Sequence, residues 1–216
     1  FTNPSNIKAI ANSIIVALSG TGLAIVLGYP VAYSISRGVA RWRFFMFMAM
    51  IPRAIPPVVL AIPLLVFYSA LGFLDTLHGL SLIYAVISVF FIIWMLKPFI
   101  DSIPIALEEA ALLDGVSRFT TPFRIVLPLV RGGLGAAAVL VFILNWSEFL
   151  FALILSRVNA RTVPVQLMIL NPMGASPATE GVVAALSSLV IIPFFATVYF
   201  FFKYLLKGVS GGIRGE

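Results

Sequence analysis

The sequence predicts an all-α polytopic membrane protein, and three observations carry that prediction. The chain is 61% hydrophobic and only 10% charged, where soluble domains carry about 25% charged residues. Its mean hydropathy of +1.11 reflects more apolar surface than a water-soluble fold of 216 residues can hide. Apolar windows of about 20 residues, long enough to cross a bilayer as a helix, recur along it. Composition sets further limits. With no cysteine, disulfides and thiolate metal sites are excluded. The net charge of +6 fits Lys/Arg-rich loops on one membrane side, and no basic run with interleaved aromatics points to nucleic acid. The opening residues, Phe1 to Lys8, contain no Met and no basic leader, so the native N-terminus is expected to be missing. The whole chain, 1–216, reads as a single transmembrane domain.

Five spans are expected: about Ala9 to Ser36, Phe44 to Leu71, Leu80 to Pro98, Leu129 to Leu155, and Val182 to Leu206. The first carries Gly20, Ala24, Gly28, Ala32 and Ser36 at four-residue spacing, a small-residue face that lets another helix approach closely. The second opens with Ile51-Pro52-Arg53-Ala54-Ile55-Pro56-Pro57 and adds Pro63. Prolines at this density break or kink a helix. Freed backbone groups survive in a membrane only against protein or a water-filled cavity. A path-lining broken helix and a kinked packing helix both fit. Arg37, Arg41 and Arg43, then Lys97, Arg118, Arg124 and Arg131, then Lys203, Lys207 and Arg214 all thread to one side, which is therefore cytoplasmic. Asp75, His78, Arg157, Arg161 and Glu180 fall on the other.

The cytoplasmic loop of about 99–128 is the most informative segment. Asp101 or Ser102 can cap a short helix, with Pro104 in its first turn. Ile105, Glu109 and Leu112 share one face, and Ile103, Leu107, Ala110 and Asp114 share its neighbour. Apolar residues on both sides of a glutamate suit a groove in another protein. A helix lying on lipid would favour a Lys/Arg-rich polar face instead. Gly115 can end the helix in the left-handed conformation, and Ser117 can cap the next one.

In the fourth span, Glu148 is costly at mid-membrane. With Asn145 and Ser147 it could line a substrate cavity, or it could be a hydrogen-bonded residue that holds helices together near the outer interface. Arg53 can snorkel to the interface. His78, the single histidine, has no ligand cluster around it. The run Gly133 to Ala138 reads as helix packing rather than a dinucleotide loop, because no βαβ unit surrounds it. No Gly-x4-Gly-Lys-Ser/Thr loop is present, so ATP binding by this chain is not expected.

Glu109-Ala110-Ala111, three residues, Gly115, nine residues and Ile125-Val126-Leu127-Pro128 resemble the EAA loop of ABC-importer permeases. Ser102-Ile103-Pro104, Asn12-Ser13, Leu74-Asp75-Thr76, Asn145 to Phe149, Val163-Pro164-Val165 and the tail Lys207 to Gly215 resemble the carbohydrate-uptake branch, of the maltose-permease G-subunit type. Pro122 departs from the helix former expected in the second loop helix. The resemblance implies the ABC type I importer fold, with six spans in the full-length subunit and a location in the bacterial cytoplasmic membrane, among its lipids. It implies no enzymatic activity in this chain, with ATP and Mg held by a partner ATPase dimer. It assigns ATPase docking to Leu107, Glu108, Glu109, Ala110, Ala111, Asp114 and Gly115, with a C-terminal ATPase contact at Gly211, Gly212 and Arg214. A second homologous permease would complete the pore, and the outer loop from about Asn159 to Glu180 would meet an extracytoplasmic substrate-binding protein. Permeases for polyamines or phosphate esters remain open, as does a self-sufficient secondary transporter.

Overall fold

The computed structural model describes residues 3–38, 56–170, 180–188, 190–195 and 198–199. Among them the structure is helical and contains no strand. Helix α1 (Pro4–Ser36) starts with Asn3 accepting from Ser5 N–H at 3.0 Å and proline in its first turn, a standard start signal. Helix α2 (Pro57–Ala70) follows Pro56. Helix α3 (Leu77–Asp101) is capped by Thr76, whose hydroxyl accepts from Gly79 N–H. The short α4 (Ile105–Leu113) lies in the loop. After it come a π-helical turn (Pro122–Val126), a brief helical turn (Leu127–Leu129), α5 (Arg131–Trp146), α6 (Leu150–Leu155) and α7 (Val163–Leu170). Residues 180–188 and 190–195 are helical again.

Among the described residues two helices, α1 and α3, are long and apolar enough to cross a membrane. The segment Pro122–Leu129 with α5 forms a third candidate bent by 77°. The expected fourth span is therefore not one helix from Leu129 to Leu155. It bends at Val130, stops at Trp146 and resumes as α6 after Ser147–Phe149. Alone, α2 has 14 residues, too few to span; the other half of the second expected span, residues 44–55, lies outside the described residues, as does much of the fifth.

The core is a three-helix contact of α1, α3 and α5. The small-residue ladder forms its seam. Gly20, Ala24, Gly28 and Ala32 are all buried, and a Cβ on Gly28 would sit 2.7 Å from Ile92 Cγ2. Lipid gives helices no hydrophobic reason to associate, so this close packing has to supply the attraction. Asn145 of α5 ties the three together: its Oδ1 accepts from Ser88 of α3 at 2.8 Å, and its Nδ2 donates to Thr21 of α1 at 3.2 Å.

Among the described residues, the segments threaded to the two sides separate in the contacts. At one end Ser36 donates to Asp101 at 2.6 Å. At the other, Asn12 donates to the carbonyls of Asn159 and Arg161 at 2.8 and 2.9 Å, and Ser13 accepts from Val163 N–H. The segments threaded to the cytoplasm and to the outside thus lie at opposite ends of the bundle.

Candidate functional site: the docking loop and its mount

Helix α4 begins at Pro104, with no side-chain cap. Asp101 is not that cap, because it still belongs to α3 and holds Ser36 and Lys97 instead. Pro104 is the N-cap residue, with ψ 131°, and its carbonyl accepts from Leu107 N–H at 3.1 Å, closing the first turn. The helix ends in a Schellman motif: Val116 N–H donates to Ala111 C=O at 3.0 Å, and Gly115 N–H donates to Leu112 C=O at 3.1 Å. Gly115 has φ +87°, the left-handed conformation this motif requires. Ser117 then accepts from Thr120 N–H at 3.3 Å.

Neighbouring residues on a helix point about 100° apart, and the two adjacent glutamates separate accordingly. Glu108 is buried, with 6% exposure. Its Oε1 accepts from Arg37 Nε at 2.7 Å and pairs with Arg37 Nη2; its Oε2 accepts from Tyr33 O–H at 2.5 Å. Ala111 is buried beside it. The resemblance places both in the ATPase-docking set; in this chain both are buried against its own body. Glu109, Ala110, Asp114 and Gly115 are exposed, and Leu107 is half exposed. The expected stripes also shift: Ile103 is buried and Leu112 partly so. The open face runs Ala106, Glu109, Ala110, Leu113, with Leu113 90% exposed. A cavity of about 420 Å³ opens beside it, with Glu109 and Arg118 among its walls.

Pro122 produces the shape that sequence left unresolved. Its carbonyl accepts from Leu127 N–H across a π turn and from Tyr29 O–H at 2.5 Å. Tyr29, Tyr33 and Arg37 recur every four residues on α1, so one stripe holds both limbs of the loop. That spacing was the available signal for Tyr29 and Tyr33, which the sequence reading did not single out.

The three residues of the candidate cavity trio have separate surroundings. Asn145 is the interhelical tie described above. Ser147 is exposed at the end of α5. Glu148 accepts from the N–H groups of Phe151 and Ala152 at 2.9 and 3.1 Å and so caps α6. A cavity of about 600 Å³ between α2 and α3 is lined by apolar side chains such as Leu60, Phe67 and Phe90, which offer a polar solute no hydrogen bonds. His78 packs edge-on to Phe73. No group of three His, Cys, Asp or Glu that could hold a metal occurs among the described residues. Arg53, Gly211, Gly212 and Arg214 lie outside them.

At the opposite end of the bundle Asp75, expected from sequence only as an outer-loop charge and part of a motif, organises the surface. Its carboxylate accepts from the backbone N–H groups of Arg157, Val158, Asn159 and Ala160, at 2.8 Å for Arg157 and 3.0 Å for Ala160. Partial burial works to raise its pKa, but these four donors outweigh it and hold the carboxyl at about 2.

The described chain is thus a bundle of packed apolar helices with a short helix mounted on one end. Residues 20–211 match the family described as "binding-protein-dependent transport system inner membrane component", and the chain belongs to that family. It is 34% identical over 213 residues to the trehalose transport system permease SugB of Mycobacterium tuberculosis, covering 96% of this chain and 77% of that protein. It is 32% identical over 210 residues to the trehalose/maltose transport system permease MalG of Thermococcus litoralis, covering 96% and 75%. A crystal structure of a bacterial ABC transporter for import of the polysaccharide alginate has the same fold, with TM-score 0.75 and 23% identity over 94% of this chain and 76% of that one. The chain is thus a permease of the ABC-importer class.

Proposed function

We propose that this permease carries a sugar or sugar derivative across the bacterial cytoplasmic membrane as one half of an ATP-driven importer, with five spans in the present chain. The observation that carries the reading is the exposed α4 face. A helix presenting Glu109 between small Ala106 and Ala110, with Leu113 almost wholly open, is fitted to a groove in a soluble partner. That partner is the ATPase dimer, which holds the ATP and Mg. Leu107, Glu109, Ala110, Asp114 and Gly115 belong to this contact, and Gly211, Gly212 and Arg214 to a second one. A homologous permease completes the pathway. The outer end, where α7 exposes Met168 and Ile169, meets the substrate-binding protein, a partner class the family description names. Sugar as the solute is favoured by the trehalose and maltose permeases among the relatives.

The test is uptake in a host lacking this subunit, using radiolabelled trehalose and maltose. Uptake restored by the wild type and abolished by Glu109→Lys is the expected result. Restored uptake of a polyamine or a phosphate ester, with neither sugar transported, would overturn the sugar assignment.

A further inference from the structure

We propose that Glu108 is the positioning residue that makes the docking loop and α1 one mechanical body. Movement imposed on α4 by an ATPase would then be delivered to the small-residue seam with α3. The inference rests on the ATP-coupled reading above and adds the transmission inside this chain.

The geometry supports it in three ways. First, α4 is a helix of nine residues attached to α3 through the short link Ser102–Pro104, and it exposes most of its surface. Both Glu108 oxygens are spent on α1, one on Arg37 and one on Tyr33, and Arg37 also donates to the Ile103 carbonyl at 3.3 Å. Second, the same α1 stripe reaches the returning limb through Tyr29 and the Pro122 carbonyl. Motion of either limb is therefore transmitted to one helix, at three successive turns. Third, the pairing is chemically specific. A buried ion pair adds little to stability compared with apolar packing, but leaving one partner alone is strongly unfavourable. Such a contact resists sliding, whereas an apolar contact of the same area would let α4 rock. The adjacent glutamates thus have separate tasks: Glu109 faces the partner, and Glu108 passes the motion inward.

The absence of cysteine makes a direct test available. Leu18→Cys on the exposed side of α1 and Phe119→Cys in the loop carry spin labels in the assembled transporter. Pulsed EPR then reads their separation without nucleotide and with ATP and vanadate. With Glu108 intact, one narrow distance is expected, unchanged between the two states. With Glu108→Ala, the distribution should broaden or shift in the vanadate state while ATP hydrolysis persists, and Arg37→Glu with Glu108→Arg should narrow it again. Arg37→Ala leaves the loop's sequence intact and serves if Glu108→Ala does not assemble; the same broadening is expected. A distribution in these single variants that coincides with the parent in both states would overturn the proposal. So would a parent distance that itself changes with nucleotide. Failure of the parent to bind any ATPase would overturn the importer reading and this inference together.

Discussion

Asp75 has a positive φ of 55°, tolerable for an aspartate whose side chain bonds locally, and closes four backbone N–H groups of the 157–160 segment around one carboxylate. A carboxyl held at about 2 in the folded protein, against about 4 in an unfolded chain, stabilises the fold above pH 4 and loses that contribution as pH falls toward 2. Asp75→Asn should therefore melt at a lower temperature than wild type at pH 5 to 8, with the gap closing near pH 2; a gap independent of pH would contradict the charge argument. Glu148 gives a second prediction. As the cap of α6, its replacement by alanine should cost about 1 kcal/mol, read as a lower melting temperature, while Glu148→Gln, which keeps an acceptor oxygen, should transport normally. Loss of transport by the Gln variant would instead support a charged cavity residue. The sequence left open whether Glu148 lines a cavity or holds helices together, and did not show capping, because capping depends on the helix break between Trp146 and Leu150. The role of Asp75 was out of reach for a related reason: its partners are backbone groups about 80 positions away, which leave no mark on side-chain pattern.

At the scale of elements, the reading succeeded where side-chain size repeats with the helix period. The four-residue ladder of α1 anticipated a close helix partner, and the structure supplies it in α3. A Cβ on Gly28 would meet both Ile92 and the Val89 carbonyl, whereas one on Gly22 would meet nothing within 4 Å. Gly28→Val should therefore destabilise the bundle by about 1–3 kcal/mol, while Gly22→Val should change its thermal stability little; equal effects would argue against the seam. Breaks were harder to read than packing. Hydropathy treats Leu129 to Leu155 as one span because it counts apolar side chains and ignores where backbone hydrogen bonds stop. Pro122 marked an irregularity in advance, but the partner of its carbonyl, Tyr29, is distant in sequence. In α4 the existence of the helix and its Gly115 stop were legible. Which of two neighbouring glutamates turns inward was not, because that depends on where Arg37 lies.

For the whole molecule, the described bundle carries the docking loop at one end and the Asp75 clasp at the other. The account's central claim is that the ATPase docks at the exposed face of α4. The most direct measurement is purification of the tagged protein in mild detergent, with partners identified by mass, for wild type and for Glu109→Lys. The account predicts a P-loop ATPase and a second permease with the wild type. With Glu109→Lys it predicts loss of the ATPase and retention of the permease, since the mutation leaves the membrane bundle untouched. A wild-type protein recovered alone, or a Glu109→Lys variant that keeps its full share of ATPase, would contradict it.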